Sequence, residues 1–432
     1  MVPYRSCLGL VLALPLSLVG VVGCSGGGGE TDTDSATDSD TGAELPAGCD
    51  AYVQPSDNDQ DTLQGALLDA AEGDTVCLAE GTFKFNTEVS VSTNGITLKG
   101  MGQDKTLLDF TAQDLGGNGI RITGDNVTVT SLGLRDTPGD GIRADDVSNI
   151  TFEDVVVGWT AQMSLSSGAY GLYPVGCTGV TVRRSRVYGA RDAGIYVGQS
   201  SNILVEDSEA DGNVAGIEIE NSTDAVVRNN HAHDNTAGLL IFNLPGLDVK
   251  DGKRTLAYGN LIENNNIDNF GLEGTAVAKV PRGLGMMIMA SDHNELRDNT
   301  VRNNTSTAVV IVAYNTDLFD PYDDAAYNKY AEGNYVHDNT FEGNGLDPDD
   351  LVVLLAKTAG VPVDGSMPIP DIIDDGCYDA ALDNSDGSLT NCISNNNGGS
   401  ATYASINLCG QGEVSMDPAF ATCTHPTLPD VP

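Results

Sequence analysis

Glycine followed by a hydrophobic residue recurs through the middle of the chain, mostly at intervals of 22 or 23 residues. A repeat of this length indicates one supersecondary unit stacked on copies of itself, because a single unit could not bury its own apolar face. The recurring steps are Gly119-Ile120, Gly141-Ile142, Gly171-Leu172, Gly194-Ile195, Gly216-Ile217, Gly238-Leu239 and Gly285-Met286.

Each repeat contains three short runs in which hydrophobic and polar residues alternate. The first run follows the glycine and places residues such as Ile195 and Val197 on one side of a strand. A polar turn rich in Asn and Asp leads to a second run, such as Ile203 and Val205, and a weaker third run follows around Ala210. Three strands in about 22 residues predict the coils of a parallel β-helix, whereas leucine-rich repeats would carry a helix in every unit.

The two ends of the chain do not follow the repeat. Residues 62–71 have the pattern of an amphipathic helix, which would cover the open edge of the first coil. The repeat is lost from about residue 360. We therefore predict an all-β fold, a parallel β-helix with three short strands per coil and an N-terminal helical cap. The predicted segments are a signal peptide at 1–23, an acidic linker at 24–45, the N-terminal cap and first coils at 46–110, the repeats at 111–345 with loop insertions at 243–284, and an irregular disulfide-containing C-terminal cap at 346–432.

The first residues predict export and a lipid anchor. Arg5 precedes an apolar stretch from Leu8 to Val22 that is short for a membrane span. The following residues, Val21-Val22-Gly23-Cys24, resemble the bacterial lipobox, which implies cleavage before Cys24 and attachment of diacylglycerol to its sulfur. An ordinary secretion signal with a coincidental cysteine is the alternative. Ser25 favours sorting to the outer membrane, so we expect a cell-envelope protein that contacts the membrane through this anchor only.

Seven cysteines follow Cys24. In an exported chain Cys49 and Cys77 are expected to pair across the N-terminal cap. Cys177 lies in a coil, where we expect a buried free thiol. Four further cysteines are expected to form two disulfides whose connectivity the sequence leaves open. These four are Cys377, Cys392, Cys409 and Cys423.

The charge of the chain restricts its partners. With 62 Asp and Glu against 21 Lys and Arg, the formal net charge is -41. Such a surface repels the phosphate backbone, so nucleic acid is not expected to bind. Neutral sugars and metal cations are favoured over polyanions. The sequence identifies no partner protein.

Four blocks carry a resemblance to a known family, namely Gly168 to Val175, Asp192 to Ser200, Val214 to Ser222 and Leu244 to Leu247. They resemble a family of exported bacterial parallel β-helix repeat proteins, many of them lipoproteins. The similarity covers roughly residues 60–345 and implies the fold, while the family has no established activity to transfer. The start of the chain is similar to that of pectate-lyase-like proteins, which implies a right-handed coil. The Asp-Pro-His-Glu signature of the more distantly similar mannuronan epimerases is absent, which argues against that activity.

The outward positions of the first strand supply the candidate site. If the coils are in phase, these positions stack about 4.8 Å apart and form a groove suited to a polysaccharide. Their order from the N-terminal end is Arg121, Arg143, Tyr173, Tyr196, Glu218, Leu240, Met287 and Val310, with Glu220, Phe242 and Met289 one step further along.

Two glutamates of this groove are the candidate catalytic pair. Glu218 and Glu220 are two residues apart on one strand, a spacing compatible with an inverting hydrolase. Arg143 and Tyr196 are the other catalytic candidates. Two solvated glutamates would explain the same sequence, and Leu240, Phe242, Met287 and Met289 are explained more simply by loops packed over that face. The candidate ligand-binding residues are Arg121, Tyr173, Phe242, Lys279 and Arg282.

The third strand offers a candidate metal site. Glu209 and Asp211 precede His231 and His233 by one coil, and this donor set would suit a transition metal such as zinc or copper(II). The alternative interpretation is that these His, Glu and Asp side chains form ordinary surface ion pairs between adjacent strands. Acidic runs at 317–324 and 347–350 could hold calcium, although neither has the spacing of an EF-hand loop. No cofactor is assigned with certainty.

Three functional hypotheses follow from the sequence. The first is an envelope-anchored protein that binds a polysaccharide or similar envelope polymer along its groove without turnover. The second is a polysaccharide hydrolase or lyase. The third is a structural or metal-handling envelope protein.

Overall fold

The computed structural model describes residues 45–358, 360–410 and 413–431. The predicted signal peptide, the lipidation site Cys24 and nearly all of the linker lie outside the described residues. Among the described helices, none has both the length and the apolar character that a bilayer span requires.

Three parallel sheets run along the described part of the chain, and consecutive strands of each sheet come from consecutive coils. The first sheet carries the strands that follow the repeated glycines. It consists of Thr87–Val91, Leu115–Ile122, Ile142–Asp145, Leu172–Val175, Ala193–Gly198, Ala215–Glu220, Ala237–Phe242, Leu284–Met289, Thr307–Val312, Ile372–Asp374 and Tyr403–Ser405.

The second and third sheets form the other two faces of the coils. The second sheet consists of Ala51–Val53, Thr75–Leu78, Thr97–Lys99, Thr128–Arg135, Ser148–Gly158, Thr178–Arg183, Ser201–Glu206, Thr223–Arg228, Lys253–Tyr258, Glu295–Arg297, Tyr335–His337 and Cys392–Ser394. The third consists of Gly81–Lys84, Thr106–Asp109, Arg186–Tyr188, Glu209–Asp211, His231–His233, Leu261–Glu263, Thr300–Arg302 and Thr340–Glu342. The long strands Thr128–Arg135 and Ser148–Gly158 join the two sheets, because each pairs in both.

The core lies between the three sheets and follows the predicted alternation. Ile195 pairs with Ile217, and Ile217 pairs with Leu239 in the next coil. All three side chains are buried, as are the equivalent residues of the other two sheets. The parallel β-helix predicted from the repeat is therefore confirmed.

The turns before the third sheet contain two consecutive residues, mostly polar, with different structural roles. The first has a left-handed backbone, as at Asn229 with a φ of 55°, a conformation that Asn and Asp tolerate. The second points inward and is buried, as at Asn230. The two positions repeat as Asp207-Ser208, Asn229-Asn230, Gly259-Asn260, Asp298-Asn299, Asp338-Asn339 and Asn395-Asn396.

The buried asparagines form hydrogen-bonded ladders along the rod. The side-chain oxygen of Asn260 accepts hydrogen bonds from both the backbone N–H and the side-chain amide of Asn230, each at 3.0 Å. The amide of Asn260 donates to the carbonyl of Val227 at 2.9 Å. Buried polar groups are costly unless they are satisfied in this way. A second ladder runs through Asn213, Asn235, Asn265, Asn304 and Asn344.

Two α-helices flank the sheets within the described residues. The helix Asp59–Asp69 overlaps the predicted cap and buries Leu63 and Leu67 against the first coils. The helix Asp350–Thr358 packs on the outer face of the first sheet through Val352 and Ala356. Short 3-10 helices occur at Val277–Lys279, Asn396–Gly399 and Pro418–Ala421.

The coils continue into the C-terminal region. Ile372–Asp374 pairs with Thr307–Val312, and Tyr403–Ser405 pairs with Ile372–Asp374. Disulfides join Cys49 to Cys77, as predicted, Cys377 to Cys409, and Cys392 to Cys423, which settles the connectivity that the sequence left open. Cys177 is buried and unpaired.

Candidate functional site

The outward residues of the first sheet lie in the register that the repeat predicts. Arg121 pairs with Arg143, Arg143 with Tyr173, and Tyr196 with Glu218. The next coils continue this outward column through Leu240, Met287 and Val310. Residues that are 22 to 47 positions apart in the chain therefore lie side by side in this column.

Part of the outward column is closed to solvent, so the groove predicted along this column is not open over its whole length. Tyr196, Glu218 and Glu220 are 4%, 3% and 7% exposed. The interpretation of Glu218 and Glu220 as solvated surface glutamates is therefore wrong. The reason is that non-repeating segments fold back over this face.

These covering segments enclose a cavity of about 290 Å³ on the outer face of the first sheet. The insertion at 275–281, the loop around Phe319 and the helix Asp350–Thr358 form its cover. The packing of loops over the apolar residues of this face is thus confirmed, and these residues also line the cavity. The wall on the sheet side consists of Leu240, Phe242, Met287, Met289, Val310 and Val312.

Three carboxyl groups, Asp192, Glu218 and Glu220, line one part of the cavity and form the carboxyl cluster. Burial raises the pKa of Glu218 well above its usual range, and the charges of Asp192 and Glu220 raise it further. Burial also raises the pKa of Glu220 to about 7, although a hydrogen bond from Tyr196 opposes the shift. Burial raises the pKa of the half-buried Asp192 to about 7, and a hydrogen bond from Tyr170 opposes it.

Three tyrosine rings, Tyr170, Tyr173 and Tyr196, pack against one another and form the tyrosine cluster. Their ring centroids lie 4.4 to 4.8 Å apart. Tyr170 and Tyr173 are half-buried, whereas Tyr196 lies beneath them. Tyr170 and Asp192 are not among the site residues predicted from the sequence, because both lie in the turn before the repeated glycine, outside the alternating run. The turns of successive repeats, aligned on that glycine, carry the signal that identifies them.

Gly198 allows Tyr196 to reach the carboxyl cluster. Gly198 pairs with Glu220, and the Tyr196 side chain lies directly over Gly198. A Cβ atom at position 198 would fall 2.1 Å from the Tyr196 hydroxyl oxygen. The absence of a side chain at this position therefore permits the contact between Tyr196 and Glu220.

The two arginines of the outward column share one carboxylate. Arg121 donates from Nε to Asp145 at 3.0 Å, and Arg143 donates from Nε to the other oxygen of Asp145 at 2.7 Å. The guanidinium of Arg143 also lies 4.8 Å from the ring centroid of Tyr173. Burial raises the pKa of Asp140 to about 6, although Arg143, at 3.5 Å, opposes the shift. Both arginines are thus held in place beside the tyrosine cluster.

The predicted ligand-binding residues from the insertion lie at the cover. Lys279 lines the cavity, and its ammonium lies 3.8 Å from Asp320 and 5.5 Å from the ring centroid of Phe319. Arg282 donates to Asp347 at 3.0 Å and does not line the cavity. Phe242 lies in the wall with Leu240.

The candidate metal site is only partly assembled. One carboxylate oxygen each from Glu209 and Asp211 and one nitrogen of His233 lie within 4.8 Å of one another. His231 instead pairs with Glu263 of the next coil at 2.9 Å. Arg186 already holds Asp211 through two hydrogen bonds of 2.8 and 2.9 Å.

The two candidate calcium runs contact the protein's own cations. Asp324 accepts from Lys250 at 2.5 Å and from the backbone of Gly246 at 3.2 Å. Asp347 accepts from Arg282. Asp324 and Asp347 therefore form ion pairs with Lys250 and Arg282 of neighbouring loops.

Comparisons with known proteins agree on the fold. A family model described as the right-handed beta helix region matches residues 118–253. The chain is a right-handed parallel β-helix. No curated protein matches the sequence significantly.

Two solved structures resemble the chain over most of its length. The Azotobacter vinelandii mannuronan C-5 epimerase AlgE6 A-module is 17% identical, with a TM-score of 0.51 over 79% of this chain and 81% of its own. The AlgE4 A-module of the same organism is 14% identical, with a TM-score of 0.51 over 79% of this chain and 91% of its own. At these identities the likeness concerns the fold alone.

Proposed function

We propose that the outer face of the first sheet binds a polysaccharide. The observation that carries this proposal is the row formed by Arg121, Arg143 and Tyr173, which leads into the tyrosine cluster. Flat aromatic faces suit sugar rings, and guanidinium groups donate hydrogen bonds to hydroxyls. Since neighbouring coils lie about 4.8 Å apart, a polymer along the rod would contact several coils at once.

The charges favour a neutral polymer. Asp145 pairs with both Arg121 and Arg143, and Asp140 lies 3.5 Å from Arg143, so two carboxylates balance the two guanidinium charges. With a formal net charge of -41, the chain would repel a polyanion unless cations screened it. The mannuronan C-5 epimerases of similar fold support a carbohydrate ligand without indicating which one.

The test measures binding of the protein to a panel of immobilised neutral and acidic polysaccharides. The polysaccharide that binds most tightly is then titrated in soluble form into the protein by calorimetry. We expect a neutral glycan to bind and Tyr173→Ala to weaken it at least tenfold. The matched control is Tyr188→Ala, because Tyr188 stacks with Arg186 on the third sheet in a similar way. Equal affinities for the two variants, or no binding to any glycan of the panel, would refute the proposal.

Polysaccharide hydrolysis or elimination is the second candidate. It is favoured by the pKa values of about 7 for Asp192 and Glu220, which suit proton transfer near neutral pH. Asp192 is the least buried member of the carboxyl cluster and accepts a hydrogen bond from Tyr170, so it borders the tyrosine cluster. The assay measures new reducing ends and absorbance of unsaturated products. Activity that survives Asp192→Asn, or an inactive protein that binds the glycan, would rule out this role.

We propose that the protein is located in the cell envelope and is anchored to the membrane by a lipid attached to Cys24. Three disulfides support an oxidising compartment outside the cytoplasm. Mass spectrometry of the mature N-terminus should find a diacylglyceryl-modified Cys24, and Cys24→Ser should release the protein from membranes. An unmodified N-terminus at another residue would contradict the anchor.

A further inference from the structure

The cavity beneath the cover is chemically unlike the exposed row of arginine and tyrosine. Its wall is formed by Leu240, Phe242, Met287 and Val310, and the cover adds Val277 and Leu355. An apolar cavity of about 150 Å³ holds a benzene molecule, so about 290 Å³ accommodates an apolar body about twice that size. This space is too apolar for a sugar ring and its hydroxyls.

One polar group in this cavity lacks a partner. Glu218 is 3% exposed and lines the cavity. Among residues 45–358, 360–410 and 413–431, no side chain or backbone group donates a hydrogen bond to its carboxyl, and no lysine or arginine forms an ion pair with it. Lys279, the basic residue of the cavity lining, lies beside Asp320 instead. A buried carboxyl without a partner is unusual, because no hydrogen bond or ion pair offsets the free-energy cost of its desolvation.

We propose that this cavity binds a small amphipathic cation, with an ammonium group beside Glu218 and an apolar body against Leu240, Phe242 and Met287. This site goes beyond glycan binding on the exposed row. An ammonium group would provide the donors and the positive charge that Glu218 lacks.

The surroundings of Glu218 favour a cation over a neutral or anionic head group. Asp192 and Glu220 raise the negative potential at the same end of the cavity. Tyr170 also lines the cavity, and aromatic rings attract cations. An alcohol would gain a hydrogen bond but no ion pair, and a carboxylate would be repelled by three neighbouring carboxyl groups.

The test compares ligands that differ only in the head group. Octylamine, octanol and octanoate are titrated calorimetrically into the full protein at pH 7.5, where a primary amine carries its charge. We expect octylamine to bind at least tenfold more tightly than octanol, and octanoate not to bind. Between butylamine and octylamine, each methylene should improve affinity about fourfold until the cavity is filled.

Two glutamine substitutions locate the site. Glu218→Gln keeps the side-chain shape and should reduce octylamine affinity at least tenfold while leaving octanol unchanged. Glu342→Gln, on an exposed strand position of the third sheet, should have no effect. Tyr173→Ala leaves the Glu218 carboxyl in place, so the preference for octylamine over octanol should persist when glycan binding is weakened, and failure of the two proposals is distinguishable.

Two results would overturn the proposal. One is octanol binding the wild-type protein as tightly as octylamine, and the other is unchanged octylamine affinity in folded Glu218→Gln. If Glu218→Gln does not fold, the affinities of the wild-type protein for octylamine, octanol and octanoate are sufficient to test the proposal.

Discussion

Replacing one buried asparagine of a ladder should destabilise the protein far more than replacing its exposed neighbour. Asn230 is 1% exposed, and its side chain makes three hydrogen bonds. Its oxygen accepts from the backbone of Ser208 at 3.0 Å, and its amide donates to Val205 at 2.9 Å and to Asn260 at 3.0 Å. Asn230→Ala removes all three.

The magnitude follows from what each partner loses. The backbone N–H of Ser208 would be buried without an acceptor, which costs about 1–3 kcal/mol. The bonds to Val205 and Asn260 are each worth about 1 kcal/mol. Asn230→Ala should therefore lower the free energy of unfolding by about 3–5 kcal/mol. The control Asn229→Ala changes the exposed left-handed position and should cost only about 1 kcal/mol, because Ala lacks the short polar side chain that lets Asn tolerate this conformation.

Urea unfolding monitored by circular dichroism, together with hydrogen exchange, measures both variants. We expect Asn230→Ala to shift the midpoint strongly and to accelerate exchange in the two adjacent coils, because a solenoid transmits damage to its nearest neighbours. If Asn230→Ala were no more destabilising than Asn229→Ala, the ladder would not contribute to stability as argued.

Three further predictions concern the site. Gly198→Ala should push Tyr196 away from Glu220 and raise the pKa of Glu220 further, measured by carbon NMR of labelled glutamate; an unchanged titration would contradict the contact. Because the pKa of Glu220 rises from 4.5 to about 7 on folding, the folded state retains a proton that the unfolded chain loses, so stability falls as pH rises through this window. Glu220→Gln should thus be more stable than wild type at pH 8 and similar at pH 4, and equal differences at both pH values would refute this. Arg186→Ala should free Asp211 and increase zinc affinity at least tenfold by calorimetry, and an unchanged affinity would argue against a metal site there.

The repeat specifies the outward column because two periods act together. Alternation along a strand fixes which side chains face outward, and the coil length fixes which of them are neighbours. Arg143, Tyr173 and Glu218 could therefore be placed from the sequence alone. The sequence also contains the pattern that indicates the ladder, since pairs such as Asp207-Ser208 and Asn229-Asn230 recur at the coil period.

The cover of the site could not be placed in this way. Residues 275–281 and 313–331 belong to insertions without a period, and their position over Glu218 depends on long-range packing. The repeat places Glu218 on the outer face of the first sheet, but only the structure shows that its carboxyl is buried and lines the cavity. His231 illustrates the same effect, because its partner Glu263 lies beyond an insertion that lengthens one coil.

The most direct test of glycan binding is hydrogen exchange with and without a saturating neutral polysaccharide from the panel. We predict slower exchange in residues 136–141, 160–170 and 189–192, the turns that border the exposed row of the first sheet. Exchange on the third sheet, at 186–188 and 209–211, should not change. Protection on the third sheet with none along the first would contradict the account.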